Sequence, residues 1–189
     1  KFIADRCRLR SCGIGLRKPM ALIYEVIRQR KRDLTFLLSG WTEDADLMIG
    51  AGCATKLEGS YLGLEAFGLA NAYRRAVEKG IPQRIVIEEY SNFGMTMRFM
   101  AASMGLPFMP IRSNLGSDLL THETLLHPKA HVMDDPFGSG AKVALLPACH
   151  SDVAVIHAQR CDSEGNTQVW GQLADDLWGT LSGKKIIVT

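Results

Sequence analysis

Two adjacent carboxylates, Glu88 and Glu89, lead into Tyr90, Ser91 and Asn92. A carboxylate so placed can serve as a nucleophile or a general base. Successive strand residues point to opposite faces, so a given cleft receives only one of the two. Acidic side chains also favour helix N-termini, so either one can instead cap the helix that follows. A second stretch, Pro110 to Asp118, carries Arg112, Gly116 and Ser117. Its glycine lets backbone N–H groups approach a ligand closely, and its arginine suits a carboxylate or phosphate. Read alone, it is also an ordinary surface turn. A third, Cys12-Gly13-Ile14-Gly15 ahead of Pro19, is a Gly-x-Gly turn of the kind that holds an anion at a helix N-terminus. It lacks the third glycine of a dinucleotide fingerprint, and no strand is evident before it. In a fourth, Asp152 to Gln159, His157 ends an apolar run, where a lone histidine is more often a core residue than a catalyst. The five histidines show no HExxH or HxH spacing, which argues against a metal site.

These groups need a scaffold. Met20, Ile23, Tyr24 and Ile27 recur at helical spacing behind Pro19, predicting a helix from Met20 to Ile27. Leu34 to Leu38 is a continuous apolar run ending at Ser39-Gly40, the pattern of a strand buried on both faces. Further strands are expected at Thr55 to Leu62, Arg84 to Glu89, Phe108 to Ile111, Val143 to Leu146, Val153 to Ala158 and Lys185 to Val188. Helices are expected around Leu47 to Ile49, over Glu65 to Lys79, and over Met95 to Met104, the last two closed by Gly80 and Gly105. Strand alternating with helix implies an α/β fold, an open, mostly parallel sheet flanked by helices. Ligands of such sheets lie beyond the carboxyl ends of the strands. That rule selects Ser39-Gly40, Ser60-Tyr61, Glu88 to Asn92, Arg112 to Ser117 and His157 to Gln159. Asn114 to Gly140 reads as a long excursion, a kind of segment that is often functional.

The 189 residues are 47% hydrophobic and 22% charged, a composition that argues against disorder. A single domain over residues 1–189 is expected. A net charge of +2 gives no nucleic-acid footprint. No apolar run reaches the roughly 18 residues that span a membrane. The five cysteines include no CxxC pair, which argues against a disulfide framework and for a reducing cytoplasm. A first residue that is not Met, and a strand-like Ile186 to Thr189 at the very end, make a longer natural chain the expectation at both ends.

Taken in order, several segments resemble the A (alpha) subunit of family I coenzyme A transferases, in the glutaconate CoA-transferase branch. They are Arg17-Lys18-Pro19, Asp46 to Gly50, Glu88 to Ser91, Gly105 to Pro110, Gly116-Ser117, Pro136-Phe137, Asp152 to Gln159, Gly165-Asn166 and Trp170-Gly171. The N-terminal turn departs from the family pattern. A Gly-Gly-Phe-like turn is usual there, whereas this chain has Cys12-Gly13-Ile14.

The resemblance implies an enzyme built from two similar α/β subunits, A and B, in heterodimers or heterotetramers. Coenzyme A would be a substrate, with no permanently bound cofactor. A glutamate of the B subunit would attack the acyl-CoA thioester and pass through an anhydride to a glutamyl-CoA thioester. A second carboxylic acid then collects the CoA. The A subunit would complete the chamber with Glu89, Tyr90, Ser91, Gly116 and Ser117, and more weakly Ser60. The family implies an acidic position at Glu88 or Glu89, without the nucleophile's role. A second reading is a hydrolase on the same scaffold, cleaving a C–C bond of a cyclic acyl-CoA with Glu89 as general base. A third is a binding module without turnover. An A subunit should also expose a sizeable apolar face when alone.

Overall fold

Apolar runs bounded by small and turn-forming residues fold as strands, and the amphipathic stretches between them cover the resulting sheet. The computed structural model describes residues 2–13 and 15–189. In chain order its elements are β1 (Arg8–Ser11), α1 (Met20–Arg28), β2 (Leu34–Trp41), α2 (Glu43–Gly50), β3 (Ala54–Leu62), α3 (Asn71–Lys79), β4 (Val86–Glu89), α4 (Asn92–Ser103), β5 (Phe108–Ile111), β6 (His131–Asp134), β7 (Lys142–Pro147), β8 (Val153–Ile156), β9 (Arg160–Cys161), β10 (Thr167–Gln168), α5 (Asp176–Leu181) and β11 (Ile186–Val188).

Six strands form one parallel sheet in the order β11-β8-β1-β2-β3-β4. The chain runs outward from β1 to β4, then returns to lay β8 and β11 on the other side of β1. The strand order therefore reverses at β1, which puts the carboxyl ends there at a topological switch point. Two expected strands do not join this sheet. β5 and β7 pair antiparallel with each other, and β6 completes a separate three-stranded sheet.

Two further expectations are corrected. A strand does precede the Gly-x-Gly turn, since β1 runs directly into it. The helix expected from Glu65 to Lys79 divides in two. A 3-10 turn at Glu65–Phe67 ends at Gly68, whose φ of 90° no α-helix accommodates, and α3 starts only at Asn71.

The two faces of the parallel sheet differ in chemistry. Leu9, Phe36, Leu38, Leu57, Val153 and Val155 make one face, packed under Ile23 and Val26 of α1, Ala45 and Met48 of α2, and Ala76 of α3. On the other face, pairing registers place Ile186, Ala154, Arg10, Leu37, Glu58 and Glu88 in one row across all six strands. Three of these six are charged and buried. Helix α4 covers this row. Ser91 caps it by accepting the Gly94 N–H at 3.0 Å, and Met95 and Phe99 pack with Leu37, Ala144 and Leu146.

Candidate functional site

Buried charge under α4 is neutralised pair by pair. The Glu58 carboxylate, wholly buried, accepts Arg8 Nη2 at 2.7 Å and Arg98 Nη2 at 2.5 Å. Burial alone would raise its pKa. The Arg98 and Arg8 guanidiniums outweigh burial and hold it below the usual range. Glu88, also wholly buried, meets Lys129 Nζ at 2.9 Å and accepts the backbone N–H groups of Thr124, Leu125 and Leu126. Burial again opposes ionisation, but Lys129 and those N–H donors bring the carboxyl from 4.5 down to about 2. Such a carboxylate has its lone pairs engaged and makes a poor nucleophile or base. Its bonds also tie the Thr124–Lys129 part of the long excursion to the sheet.

Glu89 faces the other way. It closes β4 opposite Gly59 and is exposed. The neighbouring carboxylates are thus separated by strand alternation, one into structure and one to solvent. Tyr90 points inward. It is 2% exposed, donates its hydroxyl to the Lys129 carbonyl at 3.1 Å, and lies under the Arg98 guanidinium 4.1 Å from its ring centre. Burial, the larger cause, pushes its phenol well above the ordinary range. Its hydroxyl is therefore engaged inside the fold rather than at the strand-end surface.

Ser91, Gly116 and Ser117 are brought together by a residue that the sequence reading passed over. The Ser91 hydroxyl donates to Asn114 Oδ1 at 2.8 Å. The Asn114 carbonyl accepts the Ser117 hydroxyl at 2.8 Å and the Ser117 N–H at 3.1 Å. Asn114 sits at φ 65°, a left-handed conformation that asparagine tolerates better than most residues. Gly116, at φ 80°, lies in open space with no atom within 4 Å of where a Cβ would stand. Ser60 joins from the other side, its hydroxyl donating to the Ser39 carbonyl and meeting the Asn92 side chain. Ser60, Ser91 and the Gly116-Ser117 turn therefore surround the start of α4. Arg112 is exposed, and His157 lies just past β8 at the surface, beside Thr189.

A cavity of about 260 Å³ adjoins this cluster, lined by Arg10, Gly13, Ser39, Gly40, Asn92, Thr96, Ala174 and Asp175. It opens at the carboxyl ends of β1 and β2, beside the point where the strand order reverses. Arg10, 1% exposed, pairs with Asp175 at 2.8 Å and stacks over Phe99 at 4.5 Å. The Gly-x-Gly turn does hold an anion, and the anion is internal. Gly13 N–H donates to Asp176 Oδ1 at 2.5 Å, and Arg17 closes on the same carboxylate. Among the described residues no group of three or more His, Cys, Asp or Glu is arranged to hold a metal.

Fold and site together define a class: an α/β subunit of the open parallel-sheet kind, with polar groups gathered at the strand carboxyl ends. The chain belongs to the coenzyme A transferase family, whose model, described as "Coenzyme A transferase", matches residues 10–188. The A subunit of 3-oxoadipate CoA-transferase from Pseudomonas knackmussii is 39% identical over 100% of this chain and 65% of its own. A cholesterol ring-cleaving hydrolase IpdA subunit of Rhodococcus jostii is 30% identical over 93% of this chain and 60% of its own. The crystal structure of glutaconate coenzyme A-transferase from Acidaminococcus fermentans superposes with a TM-score of 0.87 at 28% identity, covering 99% of this chain and 64% of that one. The chain thus spans less than two thirds of the length of each of these relatives. All three are enzymes or enzyme subunits by name.

Proposed function

We propose that this chain is the A-type subunit of an enzyme that moves coenzyme A between an acyl-CoA and a carboxylic acid, the attacking glutamate coming from a B-type partner. One observation carries the reading. Ser60, Ser91 and the Gly116-Ser117 turn converge on the start of α4, while the buried carboxylates beneath, Glu58 and Glu88, are locked in ion pairs. The cluster offers hydroxyls and an uncrowded glycine turn but no activated nucleophile. That is the equipment of a wall that binds an acyl group, and it calls for a nucleophile from elsewhere. The Pseudomonas relative, by name one of the two kinds of subunit, supports the same division of labour.

In this reading the thioester carbonyl is held near Ser91 and Gly116, where hydroxyl and backbone donors stabilise the oxyanion as the partner's glutamate attacks. Binding energy from the rest of CoA is used at that carbonyl. Coenzyme A enters and leaves as a substrate. Association is as a heterodimer or heterotetramer, and the exposed Phe67 (90%) and Phe137 (96%) supply apolar surface for it. Five free cysteines, four of them buried, support a reducing, cytoplasmic setting. No described helix is long and apolar enough to cross a membrane.

A hydrolase is the second reading, and two observations favour it. Glu89 is an exposed carboxylate at the end of β4, and one relative is named as a ring-cleaving hydrolase subunit. There Glu89 would act as general base on a water. The test is to incubate the co-purified two-chain complex with acyl-CoA, with and without a carboxylic acid acceptor. Consumption that depends on the acceptor supports transfer. Equal consumption without an acceptor contradicts it and supports hydrolysis.

A further inference from the structure

The cavity beside Asn92 is polar yet carries no net charge. Its charged lining groups among the described residues are Arg10 and Asp175, which cancel each other at 2.8 Å. Both are buried, at 1% and 5% exposure, so solvent screens neither of them well. Behind Gly13 a second pair, Arg17 and Asp176, cancels in the same way. The remaining polar lining is neutral. Thr96 donates to the Asn92 carbonyl at 3.0 Å, and the Asn92 side chain reaches Ser60.

An acyl chain whose thioester sits at Ser91 and whose far end passes Asn92 would finish in this cavity. A carboxylate arriving there would lose its hydration and meet a cation already committed to Asp175, so nothing would compensate the buried charge. An uncharged group with both a donor and an acceptor would meet the guanidinium on one side and a carboxylate on the other.

Resting on the proposed acyl-CoA chemistry of the neighbouring cluster, we infer that the cavity is a specificity pocket for an acyl group ending in an uncharged polar function, an amide or hydroxyl, and that Asp175 excludes a terminal carboxylate.

The experiment compares two isosteric thioesters, glutaryl-CoA and its terminal carboxamide analogue, as CoA donors for the co-purified complex. The wild-type complex should favour the carboxamide in kcat/KM by about tenfold or more. Asp175→Asn, which leaves Arg10 free to meet an anion, should move that ratio toward the carboxylate by about tenfold. Thr96→Lys adds a cation to the same cavity without touching the buried pair. It should move the ratio in the same direction even where Asp175→Asn fails to fold. A wild-type complex that uses the carboxylate equally well or better overturns the inference and leaves the transferase reading intact. So does a ratio that neither variant moves. Failure of the complex to consume any acyl-CoA overturns the reading itself, and the inference with it.

Discussion

Glu88 and Glu89 are chemically identical, adjacent in sequence and opposite in fate. Glu88 is held ionised down to about 2 from an ordinary 4.5. Its folded pKa lies below the unfolded one, so its contribution to stability is complete above pH 4.5 and is lost as pH falls toward 2. Urea titrations across that window should show wild-type stability falling with acid, and Glu88→Gln should flatten the fall. At neutral pH the same substitution leaves Lys129 buried without its counter-charge and should cost about 3–5 kcal/mol. Glu89→Gln touches no such network. Thermal unfolding should be unchanged by it, while hydrolysis, if that is the reaction, should collapse. Ser91→Ala removes a helix cap and one anchor of Asn114, and should lower stability by about 1 kcal/mol in urea. Ser91→Thr, which keeps the capping hydroxyl, should restore most of that loss.

At the scale of elements, the turn after β1 is specified by backbone geometry. Gly13 sits at φ 99°, and a Cβ added there would collide with the Arg17 carbonyl oxygen. Gly13→Ala should therefore destabilise the fold by about 1–3 kcal/mol from the backbone strain alone, measurable as a lowered urea midpoint with an unchanged slope. The strand before that turn was hidden from sequence reading for a physical reason. Arg8 and Arg10 make β1 look like a surface segment, yet both side chains turn into the fold. Their counter-charges, Glu58 and Asp175, lie 50 and 165 residues further along the chain. Asp175 and Asp176 disguise the start of α5 in the same way. β2, β3 and β4 were legible because burial is written in their own apolar runs. The strand-end rule likewise found Ser60, Ser91 and Gly116-Ser117. It missed Asn114, whose role depends on an unusual φ, and the Arg10–Asp175 wall, which exists only once distant segments meet.

The whole molecule pairs a carbon-rich face with a charged one, and α4 sits on the charged side. Its buried ion pairs fix where the strand ends stand, and those ends carry groups suited to binding rather than attack. A chain of this design should be inert alone. The most direct measurement is mass spectrometry of both chains after the co-purified complex has been mixed with acyl-CoA and no acceptor acid. A CoA-sized adduct on a glutamate of the B-type partner, with Glu89 and the rest of this chain unmodified, is the expected result. An adduct on this chain, or full CoA transfer by this chain without any partner, would contradict it.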